Sequence, residues 1–245
     1  MKIVAIIQAR MGSTRLPGKM MMDIAGKPAI ENVWDRVRLS KHLDEIWLAT
    51  SVDSQDDVLA QWAEDKSVLC YRGSENDVLD RFYQVAVKSH TDVVVRLTGD
   101  CPLHDSNTID KVIDLYGDGT RYDYVSNVVP PTYPDGLDVE VFSFDVLADA
   151  WHNARLKSER EHVTPYIRSH AKPARIGNLL NDVDLSMYRW TLDTKEDLKL
   201  IRLIASECLD KERCGKKRIY PLKKGIVLRD VIWDQRVIRA QRRTL

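Results

Sequence analysis

No run of apolar residues in this chain approaches the length that spans a bilayer, and the opening apolar stretch, with one Lys before it, is too short for a signal-peptide core. Membrane insertion and secretion are therefore not expected, and a cytoplasmic protein is. Cysteine is scarce. Cys70, Cys101, Cys208 and Cys214 form no CxxC pair and have no His at zinc-ligand spacing, which argues for reduced thiols and against a zinc site. Neither sign of charge prevails: 37 basic side chains balance 37 acidic ones, so net charge suggests neither nucleic acid nor a membrane surface as partner. Internal repeats and low-complexity tracts are missing as well, which excludes a solenoid and any need for a flexible linker.

What is present is enough for a sizeable core: 245 residues, 44% of them hydrophobic, suit one large α/β domain. The balanced charge is unevenly spread. From Lys211 onward there are 12 basic and 3 acidic residues, a net of +9, against 25 basic and 34 acidic before it, a net of −9. The expected organisation is a catalytic domain over residues 1–210 with a basic extension, 211–245, packed on it.

Along the chain, short β-branched runs alternate with helical patterns. Residues 3–7, 45–50, 68–71 and 92–97 read as buried strands; 28–37, a segment capped by Ser54 and one capped by Asn76 read as helices. This alternation predicts a mostly parallel sheet flanked by helices. Residues 117–136, rich in Gly, Pro, Asp and Tyr, read as an insertion. A strand follows over 137–142, with Asp138 and Glu140 on one face. Helices are expected over 145–154, 159–170 and 195–208, a short strand over 188–192, and beyond Ile219 a strand or loop and a basic helix holding Val231, Ile232 and Ile238.

The first strand leads into QARMGSTRLPGK, residues 8–19, with Arg10, Arg15, Lys19, the hydroxyls of Ser13 and Thr14, and two glycines. Ligands of open α/β sheets gather at the carboxyl ends of strands, glycines admit a close approach, and Arg forks with a Lys point charge neutralise phosphate oxygens. The loop reads as a polyphosphate cradle. It is not a Walker A loop, since five residues separate Gly12 from Gly18 and Met20 follows Lys19. Two aspartates join it in prospect. Asp100 ends the strand before Cys101-Pro102, and Asp193 stands between the expected 188–192 strand and the next helix. Mg²⁺ needs only one or two protein carboxylates plus substrate phosphates, so both are metal candidates, with a helix cap as the rival role for Asp193.

The cradle, followed by Ile24-Ala25-Gly26-Lys27-Pro28, resembles the opening of the CMP-sugar cytidylyltransferases, which include the CMP-3-deoxyoctulosonate and CMP-acylneuraminate synthetases. The likeness is to the spore-coat-polysaccharide-type branch and runs from residue 1 to about 205. It implies a Rossmann-like nucleotidyltransferase (GT-A-like) fold and a CTP-dependent enzyme making a CMP-activated sugar acid and pyrophosphate for cell-surface polysaccharide. It also implies Mg²⁺ on Asp100 and Asp193, with Arg10, Arg15 and Lys19 on the departing pyrophosphate. The loops ending the second and third strands would hold cytosine and ribose through Ser51, Gly73 and Ser74. Asp138, Glu140 and His162 would face the acceptor. A homodimer built on the insertion and part of 145–170 follows from the same likeness. Cys101 stands where octulosonate enzymes have an acidic residue, so the acceptor is not inherited. Two other readings remain, a metal-dependent glycosyltransferase and a non-catalytic nucleotide binder. The first would need an Asp-x-Asp, and the chain has one only at Asp182-x-Asp184.

Overall fold

The computed structural model describes residues 1–171 and 175–209. The chain runs β1 (Ile3–Gln8), a hairpin of β2 (Asp23–Ile24) and β3 (Lys27–Pro28), α1 (Ala29–Val37), β4 (Glu45–Ser51), α2 (Asp57–Asp65), β5 (Leu69–Gly73), α3 (Val78–Ser89) and β6 (Val93–Thr98). It continues through α4 (Ser106–Tyr116), β7 (Tyr124–Ser126), β8 (Glu140–Ser143), α5 (Phe144–Asn153), α6 (Lys157–His162), α7 (Pro165–His170), β9 (Ile176–Asn178) and α8 (Lys195–Leu209). One sheet takes seven of the strands in the order β5-β4-β1-β6-β8-β7-β9. β5, β4, β1 and β6 are parallel, β8 is antiparallel to both β6 and β7, and β7 pairs parallel with β9.

The period of two in β1 divides the core. Ile3, Ala5 and Ile7 face one side, against Ile30 and Val33 of α1, Leu59 and Trp62 of α2 and Ile109 and Val112 of α4. Val4 and Ile6 face the other, against Leu79, Phe82 and Val85 of α3 and Leu147 and Ala150 of α5. With both faces covered, a strand gains by being apolar throughout, which is why residues 3–7 show no polar alternation. A third cluster lies beside the cradle: Leu16, Ile24, Tyr133, Leu137, Trp190 and Leu192 pack with Leu198, Ile201 and Ile204 of α8.

Several local expectations change. Asp53, not Ser54, caps the turn leading into α2 by accepting from the Gln55 amide at 3.0 Å, and Asp77, not Asn76, caps α3 by accepting from the Asp80 amide at 2.9 Å. In each case the carboxylate is the stronger acceptor for the bare N–H groups of a helix start. Residues 159–170 are two helices, broken at Val163, whose φ of 69° no helix accommodates. Residues 188–192 are extended without being a strand, because their amides and carbonyls bond to two separate segments. Tyr188 O accepts from Asp135 N, Trp190 N donates to Asp135 O, and Leu192 N donates to Asp100 O. The insertion contributes β7 to the sheet and buries Tyr124, Val125 and Tyr133 in its own fold. The basic segment 211–245, with the elements expected beyond Ile219, lies outside the described residues.

Candidate active site

The carboxyl ends of β1 and β6 open into a cavity of about 430 Å³ roofed by the cradle. Three anchors hold that loop. The Met11 amide donates to Asp56 Oδ1 at 2.6 Å, while Asp56 Oδ2, fully buried, accepts from both the amide and the hydroxyl of Ser51. Leu16 plugs the third apolar cluster and Met20 the first. Between these anchors Arg10, Ser13, Thr14, Arg15 and Lys19 line the cavity.

Lys19 is the centre of the arrangement. Its ammonium, nearly sealed from solvent, donates to Asp100 Oδ2 at 2.8 Å and to Asp193 Oδ1 at 2.9 Å. Burial works against its charge, yet Asp100 and Asp193 outweigh burial and raise its pKa. Burial likewise opposes the charge on Asp193, and Lys19, Arg15 and Arg189 overcome it, so this carboxyl titrates below its usual range. Arg15 approaches Asp193 Oδ2 at 3.1 Å, and the Arg189 fork joins Asp193 to Asp135. Asp193 itself does not cap α8. The Asp197 carboxylate accepts from the amides of Asp193 and Thr194, while Thr194 Oγ1 accepts from Asp197 N, a reciprocal cap that leaves the Asp193 side chain to the cavity. Asp100 is brought in by Gly99, where an added Cβ would stand 2.8 Å from Ala9 Cβ and 3.0 Å from Gln8 O.

Arg10 points elsewhere, 3.6 Å from Glu75 and 3.7 Å from Glu161. His162 lines the same side from the end of α6. The structure thus splits the expected cations: Arg15 and Lys19 sit with the two aspartates at the β6 end, Arg10 across the cavity. Ser51 is buried below the floor, on Asp56. Ser74 Oγ accepts from Asp77 N, and Gly73 packs on the Arg81 stem; none of the three lines the cavity. Asp138 and Glu140 do not line it either. Glu140 is buried, with Arg96, Tyr124 Oη and Thr164 Oγ1 as partners; although burial opposes its charge, those partners hold its pKa down. Asp138 is pushed up to about 7 by burial and by the nearby Asp135 and Glu140.

Gln8, at the start of the cradle, and Glu161, beside His162, also line the cavity, as do Arg81, Arg96 and Thr98, which were not anticipated. Two carried a signal. Arg96 interrupts the apolar run VVVRLT, and Arg81 lies on the same helix face as Val78, Phe82 and Val85. A charge on an apolar stripe marks a side chain that must reach something polar.

Among the described residues no group of three or more His, Cys, Asp or Glu converges as a metal site. Asp100 and Asp193 are two hard-oxygen donors close enough to share one ammonium, a set that fits Mg²⁺ when substrate phosphates fill the remaining positions. Asp182 and Asp184 are exposed on a loop away from the cavity, which disfavours the glycosyltransferase reading.

Residues 4–226 match the cytidylyltransferase family. The chain belongs to that family. Its relatives include the spore coat polysaccharide biosynthesis protein SpsF of Bacillus subtilis, 37% identical over 82% of this chain and 85% of that one. Among solved structures, a cytidylyltransferase from Leptospira borgpetersenii superposes with a TM-score of 0.80 at 33% identity, covering 98% of this chain and 95% of the other. A CMP:2-keto-3-deoxy-manno-octonic acid synthetase complexed with CTP shares the fold, with a TM-score of 0.66 at 19% identity over 84% of this chain and 99% of that one. The cytidylyltransferase is thus an enzyme of nucleotidyl transfer on a mostly parallel, helix-flanked sheet. No helix among its described residues is long and apolar enough to cross a membrane.

Proposed function

We propose that this cytidylyltransferase transfers CMP from CTP to a sugar acid of the nonulosonate or octulosonate type, in the cytoplasm, for cell-surface polysaccharide. A hydroxyl oxygen of the acceptor forms a bond to the α-phosphorus while its proton passes to an acceptor-side carboxylate or to solvent, the bond from that phosphorus to the bridging oxygen breaks, and pyrophosphate leaves with the electron pair. The observation that carries the reading is Lys19 held between Asp100 and Asp193, with Arg15 on the outer oxygen of Asp193. Such a transfer asks a protein mainly for positioning and charge neutralisation. Lys19 and Arg15 stabilise charge gathering on the pyrophosphate, and Gly99 fixes the distance of Asp100 from the cradle. Asp100 and Asp193 would hold Mg²⁺, which when bound neutralises phosphate oxygens. Asp138 and His162 belong to the acceptor side, and Glu140 acts there through Arg96.

The same reading includes a two-fold homodimer through residues 117–136 and part of 145–170. Support comes from Val129, Pro130 and Pro131, which are exposed, and from the stacked rings of Tyr166 and His170 on α7. Light scattering at micromolar concentration checks it, and a fully active monomer would defeat it. For the reaction, pyrophosphate release is measured from each NTP with a panel of 3-deoxy-2-keto sugar acids, with mass spectrometry for CMP adducts. CTP consumed with a sugar acid supports the proposal. No NTP consumed with any acceptor sinks it.

A further inference from the structure

The two carboxylates that suit a metal are already claimed by cations of the protein itself. Asp100 Oδ2 and Asp193 Oδ1 accept from Lys19 Nζ at 2.8 and 2.9 Å, while Asp193 Oδ2 faces Arg15 at 3.1 Å and the Arg189 fork. That leaves Asp100 Oδ1, whose one hydrogen-bond partner among the described residues is the Cys101 thiol, with Sγ at 3.8 Å. A dication arriving alone would meet one unclaimed oxygen and, beside it, an ammonium nearly sealed from solvent. Mg²⁺ sheds water reluctantly and asks for hard oxygens, so a carboxylate pair closed by a lysine is a poor site for it. Repulsion between the two cations, a few ångströms apart near a protein surface, makes it poorer still.

Lys19 can nevertheless leave without moving the loop. Gly18, at a φ of 74°, turns the chain, Lys19 N donates to Leu16 O and Lys19 O accepts from Met22 N, each at 3.2 Å, and Leu16 and Met20 are plugged into the core. The backbone is pinned on both sides. The side chain is a flexible four-carbon stem that lines the cavity, and both of its hydrogen bonds go to the carboxylate pair. A triphosphate in the cavity would offer the ammonium phosphate oxygens in exchange. Asp100 Oδ2 and Asp193 Oδ1 would then come free together, just when phosphates are present to fill the metal's remaining positions.

We propose that Lys19 holds the metal's place between Asp100 and Asp193 until a triphosphate draws it off, so that a divalent ion binds with the nucleotide and hardly at all without it. The inference rests on the reading of Asp100 and Asp193 as the metal's ligands and deepens it. The lysine gains a use before the reaction, keeping the carboxylate pair closed to a bare ion.

The test is equilibrium dialysis with Mn²⁺, which takes the same oxygen ligands, against four full-length proteins without nucleotide: native, Lys19→Met, Lys19→Met with Asp100→Asn, and Arg15→Met. Lys19→Met is expected to bind Mn²⁺ about tenfold or more tighter than the native protein and to lose that gain when Asp100→Asn is added. Mg²⁺ alone should raise the melting temperature of Lys19→Met and leave that of the native protein where it is. Arg15→Met, which removes a more exposed cation from the same carboxylate, should gain much less. An equal gain in Arg15→Met would reduce the effect to net charge and overturn the proposal. So would a gain that survives Asp100→Asn, or unchanged Mn²⁺ affinity in a Lys19→Met protein with a cooperative melt. If Lys19→Met does not fold, the native protein decides: Mn²⁺ should be retained with CTP and not with CMP, and retention as tight without nucleotide as with CTP refutes the idea. Failure of the cytidylyl-transfer reading would appear separately, as no pyrophosphate released from CTP with any acceptor.

Discussion

Gly99 and Ala9 touch so closely that the α-hydrogen of Gly99 occupies the only space left: a methyl at Gly99 would sit 2.8 Å from Ala9 Cβ, with Gln8 O at 3.0 Å. Two neighbouring strand ends are locked together there, one bearing the cradle and the other Asp100. Gly99→Ala must push Asp100 away from Lys19. Turnover is expected to fall by roughly 10²-fold, the usual cost of about 1 Å of misplacement. Pyrophosphate release beside a thermal melt checks this, and the idea fails if activity is kept while the melt shifts.

Asp100→Asn and Asp193→Asn each remove a charge from the carboxylate pair without disturbing a core cluster. Both are expected to lose nearly all turnover, on the order of 10²–10³-fold or more, and to keep a native circular dichroism spectrum. Near-normal Mg²⁺-dependent activity in either variant would remove that residue from the reaction.

Lys19 and Arg10 should separate by nucleotide. Lys19→Ala is expected to weaken CTP far more than CMP, since its partners mark the triphosphate end. Arg10→Ala, which releases Glu75 and Glu161 across the cavity, should weaken both nucleotides alike. Calorimetry with CTP and CMP gives the comparison, and a reversed pattern would exchange the two roles.

Asp138 sets a pH dependence. Burial, with Asp135 and Glu140 nearby, raises its pKa to about 7, so it is protonated below neutrality and anionic above. If it accepts a hydrogen bond or proton from the acceptor hydroxyl, kcat/KM should rise with pH through about 7 and flatten above. Asp138→Asn should abolish that limb. A profile unchanged in the variant would place the titration elsewhere.

Glu140→Ala strips Arg96, Tyr124 and Thr164 of their shared partner in a buried setting. Unfolding free energy should drop by about 3–5 kcal/mol. Because the folded-state pKa of Glu140 is depressed, its ionisation stabilises the protein above the unfolded carboxyl's range, and that gain is lost as pH falls toward the lower folded value. Urea unfolding of both proteins at neutral and acid pH measures each effect.

The parallel half of the sheet was legible in the sequence because apolar runs such as residues 3–7 have one physical explanation, burial on both faces. That the loop of residues 8–19 lines the cavity was legible for a related reason: it leaves the carboxyl end of a central parallel strand, where open sheets form their clefts. The caps at Asp53 and Asp77 were misread because neighbouring Ser54 and Asn76 carry similar acceptors, and only backbone geometry chooses between them. Residues 188–192 looked like a strand because extended backbone and β-rich composition coincide there, whereas ladder pairing depends on a neighbour that sequence does not name. Arg81 and Glu140 could not be placed, since what each of them touches comes from segments far away in the chain.

Lys19 and Asp193 are 174 positions apart, and Asp193 is held by Leu192 donating to Asp100 O and by the packing of α8. In the order of synthesis, the cradle leaves the ribosome early and its second carboxylate very late. The strands β1 and β6 bring Lys19 one aspartate, and the second arrives only with the segment that leads into α8, so the pair is complete only once all the strands of the sheet have been made.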